Sequence, residues 1–207
     1  MTAVEAVLWD FGGVITTSPF EAFARYEEAH GLPPDFLRRL NAANPDHGAW
    51  ARFERGEVDL EHFAALFEAE AAAAGGRVDA LEVVGVLRGE VRPAMVEAVR
   101  RCHERAKTAL LTNNFLVGGQ TVDYGDALDH FDVIIESSRV GVRKPDPRFY
   151  QSACEQLGVA PAACVFLDDL GVNLKPARAM GMRTVKVVDP AVALAELEGI
   201  VGFPLGG

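Results

Sequence analysis

Apolar positions along this chain follow two rhythms. Short, almost uninterrupted apolar runs occur at Val7–Trp9, Thr108–Leu111, Phe131–Ile135, Ala163–Leu167 and Thr184–Val188. Runs of that length closed by Gly, Asn or Asp read as strands buried on both faces, which is the signature of a parallel sheet. Between the first run and the second the spacing changes to three and four. It predicts a helix that starts at Phe20 and is ended by Gly31, then helices at Pro34–Ala43, Gly48–Arg55, Leu60–Ala74 and Asp79–Leu87, with Ser18-Pro19 opening the first and Asp59 capping the fourth. From Arg92 onward strand and helix alternate. Helices are expected at Pro93–Arg105, Asp126–His130, Arg148–Leu157, Leu174–Met180 and after Asp189-Pro190.

Alternating strands and helices imply βαβ units, so the expected class is α/β, a Rossmann-like parallel sheet with helices on both faces. The all-helical block then reads as an insertion after the first strand. The expected division is 1–18 and 91–207 for the α/β core and 19–90 for an inserted helical cap. Phe20, Phe23, Trp50, Phe53, Phe63 and Phe67 stand at helical spacing in that block. They are expected to form the core of a small bundle, with the lining of an apolar pocket as the alternative.

Composition narrows the partners. The 207 residues are 49% hydrophobic and 24% charged, with a net charge of −10, so neither nucleic acid nor an anionic membrane is an expected partner. No apolar run approaches the roughly eighteen residues of a membrane span, and no basic leader precedes the first strand. Cys102, Cys154 and Cys164 lack metal-ligand spacing and are expected to be small core residues in a reducing compartment. A soluble, cytoplasmic protein, monomer or homodimer, is the expectation.

The polar residues that end the strands carry the chemistry. In a parallel sheet ligands bind beyond the carboxyl ends of the strands. There stand Asp10, Thr112-Asn113 and Asp168-Asp169, with Lys144 in a loop on the same side. Each alone could be a turn cap or a solvated strand end. Together they place three acids in one crevice, where a hard divalent cation would relieve their repulsion by sharing carboxylates with substrate oxygens. Lys144 could balance a phosphoryl group, and Thr112 could donate a hydrogen bond to it.

Those residues, in the segments Asp10-Phe11-Gly12-Gly13-Val14, Thr112-Asn113, Lys144-Pro145 and Asp168-Asp169, resemble the haloacid dehalogenase-like hydrolase superfamily. Ile135-Glu136-Ser137, Val140-Gly141 and Phe166 to Arg178 are similar to the N-terminal phosphatase domain of soluble epoxide hydrolase. The resemblance implies a magnesium-dependent phosphatase acting on a small phosphorylated metabolite. In that scheme Asp10 is the nucleophile, and Asp10, the carbonyl of Gly12 and Asp169 hold Mg2+. Thr112, Asn113 and Lys144 bind the phosphoryl group, while Asp168 and Asn173 support the acidic loop. One position departs from the pattern: the acid and base aspartate two residues after the nucleophile is here Gly12. A metal-independent dehalogenase and a non-catalytic phosphate-binding module therefore stay open, as does a substitute donor from the cap such as Glu54.

Overall fold

Ala6–Trp9, the first strand β1, is removed from water on both faces, and burial of such side chains is worth about 1.5–3 kcal/mol for each large one. The computed structural model describes residues 3–115, 117 and 124–206. After β1 come five helices, α1 (Pro19–Ala29), α2 (Phe36–Ala43), α3 (Ala49–Glu54), α4 (Leu60–Ala73) and α5 (Ala80–Gly85). Then α6 (Pro93–His103) leads to β2 (Lys107–Thr112), and β3 (Val133–Glu136) to α7 (Ser137–Val140) and α8 (Pro147–Leu157). The chain closes with β4 (Cys164–Asp168), α9 (Gly171–Ala179), β5 (Arg183–Lys186) and α10 (Pro190–Val201).

The sheet order is β3-β2-β1-β4-β5 and every pairing is parallel. β1 is thus the central strand, and its alternation sorts the core into two layers. Val7 and Trp9 pack with Met95 and Val99 of α6 and Leu194 and Leu197 of α10. Ala6 and Leu8 pack on the other face with Phe149 and Tyr150 of α8 and Leu174 of α9. A parallel sheet covered by helices on both faces matches the expected class.

Helices α1 to α5 have an apolar core of their own, containing Phe23, Phe53, Phe63, Phe67 and Val83. Four of the six aromatics named from the sequence are buried in it, and Phe20 and Trp50 stay partly exposed. The block leaves and re-enters the sheet region through a narrow neck. Thr16 bridges Val91 in antiparallel fashion, Thr17 N donates to Glu90 O at 2.9 Å, and Arg92 N donates to Ile15 O at 2.8 Å.

Several boundaries differ from expectation for local reasons. The segment expected as a helix at Asp126–His130 is one 3-10 turn, Gly125–Leu128. The helix expected at Leu174–Met180 begins three residues earlier, because the carbonyl of Leu170 already accepts from Asn173 N and Leu174 N. Cys102, Cys154 and Cys164 are buried and free, although Cys154 Sγ and Cys164 Sγ approach to 4.0 Å. Among the described residues, no helix is long and apolar enough to cross a membrane.

Candidate active site

The chain leaves β1 at Asp10 and turns at once, with Asp10 Oδ1 accepting from Phe11 N at 2.6 Å and Thr16 N closing a wide turn onto Phe11 O at 3.0 Å. Two glycines make the turn, for different reasons. Gly12 has φ −67°, open to any residue, and an added Cβ would meet only Pro19 Cδ at 3.6 Å. Gly13 has φ +81°, and a Cβ there would come within 2.7 Å of the Asp169 carboxyl carbon. Conformational freedom is required at Gly13 and not at Gly12.

β4 pairs with β1 so that Trp9 is opposite Leu167, and Asp168 and Asp169 therefore emerge beside Asp10. Carboxylate oxygens of Asp10, Asp168 and Asp169 lie within 4.8 Å of one another. Lys144, with its side chain 1% exposed, donates from Nζ to Asp10 Oδ1 at 2.6 Å and Asp168 Oδ2 at 2.9 Å. Burial works against its charge, but the carboxylates of Asp10 and Asp168 outweigh it and hold the ammonium above its ordinary pKa.

The acids are less well compensated. Burial pushes Asp10 well above the usual carboxylate range, Lys144 pulls it back, and Asp168 and Asp169 push it up again. Burial and Asp168 together push Asp169 up to about 6. Among the described residues one ammonium, with Arg92 acting on Asp169 as well, faces three carboxylates, and a hard cation bound by oxygen fits the remaining deficit. Asp168 is fully buried and its oxygens are already engaged by Lys144, by Leu170 N at 2.8 Å and by Asn173 Nδ2 at 3.1 Å. Asp169 is partly exposed, and so remains the more available ligand.

Asn113 joins this cluster through Lys144. Its side chain accepts from Lys144 N at 2.8 Å and donates to Lys144 O at 3.1 Å. Asn173 joins through Asp168, and its carbonyl accepts from Tyr150 Oη at 2.7 Å. Thr112 ends β2, half-buried and opposite Glu136, but its hydroxyl makes no hydrogen bond to Asp10, Lys144 or the acid pair among the described residues. It shares the crevice by strand position.

The structure adds residues that sequence patterning does not pick out. Arg92 reaches back to the turn, Nη1 donating to Gly13 O at 2.7 Å; nothing in its surroundings signals this. Arg143 donates to Glu54 of α3, a contact for which the basic pair Arg143-Lys144 is the only hint. Glu54 also accepts from Trp50 Nε1 at 3.0 Å.

Residues 4–181 match the family model "haloacid dehalogenase-like hydrolase". The chain belongs to that family. The bifunctional epoxide hydrolase 2 of Mus musculus is 32% identical over 221 residues, covering 98% of this chain and 40% of the relative. Phosphatase MT3486 of Mycobacterium tuberculosis is 42% identical over 100 residues, 47% of this chain and 45% of the relative. Among solved structures, a HAD family enzyme from Bacteroides thetaiotaomicron in complex with magnesium and inorganic phosphate superposes with a TM-score of 0.63, over 89% of this chain and 94% of that one, at 17% identity. That likeness shows the fold. The chain spans less than half the length of the first curated relatives it matches. The resemblance drawn from the sequence, to this superfamily and to soluble epoxide hydrolase, is borne out.

Proposed function

We propose that this haloacid dehalogenase-like hydrolase is a magnesium-dependent phosphatase of small phosphorylated metabolites, working through an aspartyl-phosphate on Asp10. The observation that carries the reading is the cluster of Asp10, Asp168 and Asp169 with Lys144 as its one bridging cation. Metal-independent halide displacement supplies no cation to relieve the repulsion among the three acids.

In this reading Asp10, the Gly12 carbonyl and Asp169 hold Mg2+, whose chemistry is to neutralise phosphoryl oxygens and orient the ester. Asp10 attacks phosphorus as nucleophile and the ester's P–O bond breaks, releasing the alkoxide or phenolate; water then opens the acyl phosphate, giving inorganic phosphate and the free Asp10 carboxylate. Lys144, fixed by Asn113 and by two carboxylates, offsets negative charge on the transferring group, and Thr112 with the main-chain amide of Asn113 binds its equatorial oxygens. Asp168 keeps Lys144 in place and Asn173 keeps Asp168 in place.

We further assign 1–18 and 91–207 to the catalytic core and 19–90 to a cap, a division supported by the separate apolar core of α1 to α5 and by the neck at Thr16–Val91. Trp50 and Phe115 lie 6.1 Å apart and are both partly exposed. They favour an aryl or otherwise apolar ester. The three free cysteines suit a cytoplasmic location.

The test is hydrolysis of an aryl phosphate with and without magnesium, alongside halide release from a 2-haloacid in the presence of a chelator. Phosphate release that needs the metal supports the proposal. Halide release with the metal removed replaces it with a dehalogenase, and metal-dependent binding of phosphate analogues without turnover of any ester reduces it to a binding module.

A further inference from the structure

Arg143 and Lys144 are neighbours in sequence whose side chains turn to different partners. Lys144 turns inward to Asp10 and Asp168. Arg143 turns to the helical insertion, where Nη1 donates to Glu54 Oε2 and Nη2 donates to Pro45 O at 3.0 Å. The pair is sheltered, with side chains 19% and 12% exposed, so it is poorly screened and either partner alone would be left charged and dry.

Further contacts tie the same stretch of the insertion to the core. Ser137 Oγ donates to Glu54 O at 2.6 Å and itself accepts from Asn114 N at 2.9 Å. Gly56, at φ +67°, lies so close to Ser138 that a Cβ would stand 2.5 Å from its carbonyl oxygen. Phe53, one residue before Glu54, stacks on Phe115 with centroids 4.9 Å apart. Residues 45–56 are therefore gripped by the segments that follow β2, follow β3 and precede Lys144. Both carboxylate oxygens of Glu54 accept hydrogen bonds, one from Trp50 Nε1 and one from Arg143. Burial pushes the Glu54 carboxyl above the usual carboxylate range while Arg143 and Trp50 pull it back.

We propose that Glu54 and Arg143 are positioning residues, a latch that fixes Trp50 and the Phe53–Phe115 stack over the leaving-group side of the crevice; the proposal rests on the phosphatase reading above. Lys144 does not depend on the latch, since Asn113, Asp10 and Asp168 hold it separately. Breaking the latch thus displaces the wall that meets the leaving group and spares the groups that meet the phosphoryl group.

The experiment compares Glu54→Gln, Arg143→Ala and Arg143→Lys with the natural protein, with magnesium, on 1-naphthyl phosphate and on acetyl phosphate. Misplacement of a positioned group costs up to about a hundredfold, and kcat/KM for the naphthyl ester is expected to fall at least about tenfold in Glu54→Gln and Arg143→Ala. Arg143→Lys, which keeps a charge opposite Glu54, loses less. Acetyl phosphate turnover and inhibition by inorganic phosphate stay at the natural level. Parallel loss on both substrates, or no loss on either, overturns the latch. Hydrogen exchange supplies a readout independent of turnover and of full variant stability: amides of residues 45–56 exchange faster in the variants while those of β1 and β4 do not, and uniform or unchanged exchange overturns the proposal. A natural protein that hydrolyses no phosphate ester ends the phosphatase reading, while exchange still judges whether Glu54 and Arg143 hold the insertion down.

Discussion

Gly13 and Asp169 meet across the mouth of the site so closely that a single methyl group on Gly13 would collide with the Asp169 carboxyl. The contact joins the turn after β1 to the turn after β4. It also requires the left-handed φ of +81°. Gly13→Ala therefore carries both a backbone and a steric penalty. It is expected to destabilise the fold by about 1–3 kcal/mol and to abolish magnesium-dependent turnover. Gly12→Ala, with ordinary φ and space for a Cβ, leaves the melting temperature within about 1–2 °C, a shift of under about 0.5 kcal/mol for a domain of this size. Thermal melts of the two variants decide the point, and the reverse ranking would show the turn has been misread.

Asp10→Asn removes the nucleophile and one acid from a crowded cluster. Turnover should fall at least about a thousandfold, as losses of nucleophiles do, while stability is unchanged or slightly raised, because burial and two neighbouring acids already disfavour the Asp10 charge. Lys144→Met does the opposite to the balance. It strands Asp10 and Asp168 without their shared ammonium and should cost about 3–5 kcal/mol. Urea unfolding of both variants measures the contrast; a destabilised Asp10→Asn would mean that Asp10 is mainly a structural partner of Lys144.

Magnesium should raise the melting temperature, since a ligand at a hundred times its Kd adds about 2.7 kcal/mol to the folded state. The effect depends on pH through Asp169. Its pKa is raised from 3.8 to about 6, so the folded chain holds that proton more tightly than the unfolded one. Without metal, stability contributed at this group is therefore greatest below pH 4 and is lost as pH rises through about 6. Metal competes with the same proton, so the magnesium-induced shift should be larger at pH 7.5 than at pH 5, and Asp169→Ala should remove most of it. Calorimetry that finds no shift at either pH would dismiss the metal site.

Gly12 bears on the leaving group. General acid catalysis is worth about 10²–10⁴ in rate, and an alkoxide needs it far more than a phenolate or a carboxylate does. The natural protein should therefore prefer aryl and acyl phosphates over alkyl phosphates. Because a Cβ at position 12 meets nothing closer than 3.6 Å, Gly12→Asp should fold, and should raise alkyl phosphate turnover much more than aryl phosphate turnover. Equal gains on matched esters would point to a different source of the proton.

What the sequence determined by itself is the set of decisions made by short-range physics. The apolar run Ala6–Trp9 is buried on both faces, as a strand inside a helix-covered parallel sheet is, and a carboxylate placed directly after it stands at the carboxyl edge of the sheet. The same logic brought Asp168-Asp169 and Thr112 to that edge and separated five helices at spacing three and four from the alternating remainder. Tertiary structure decided what depends on distance between segments remote in the chain. Lys144 is 134 positions from Asp10, and its place between Asp10 and Asp168 arises from the loop before α8 and from the grip of Asn113. Which of two adjacent glycines needed freedom turned on where Asp169 comes to rest. Glu54, open in the sequence to service as a proton donor, was bound on both oxygens by Trp50 and Arg143. Local patterning records how each residue leaves its own strand or helix; which charge it then meets is a property of the packed whole, because an ion pair is made by proximity in space and leaves no period in the chain.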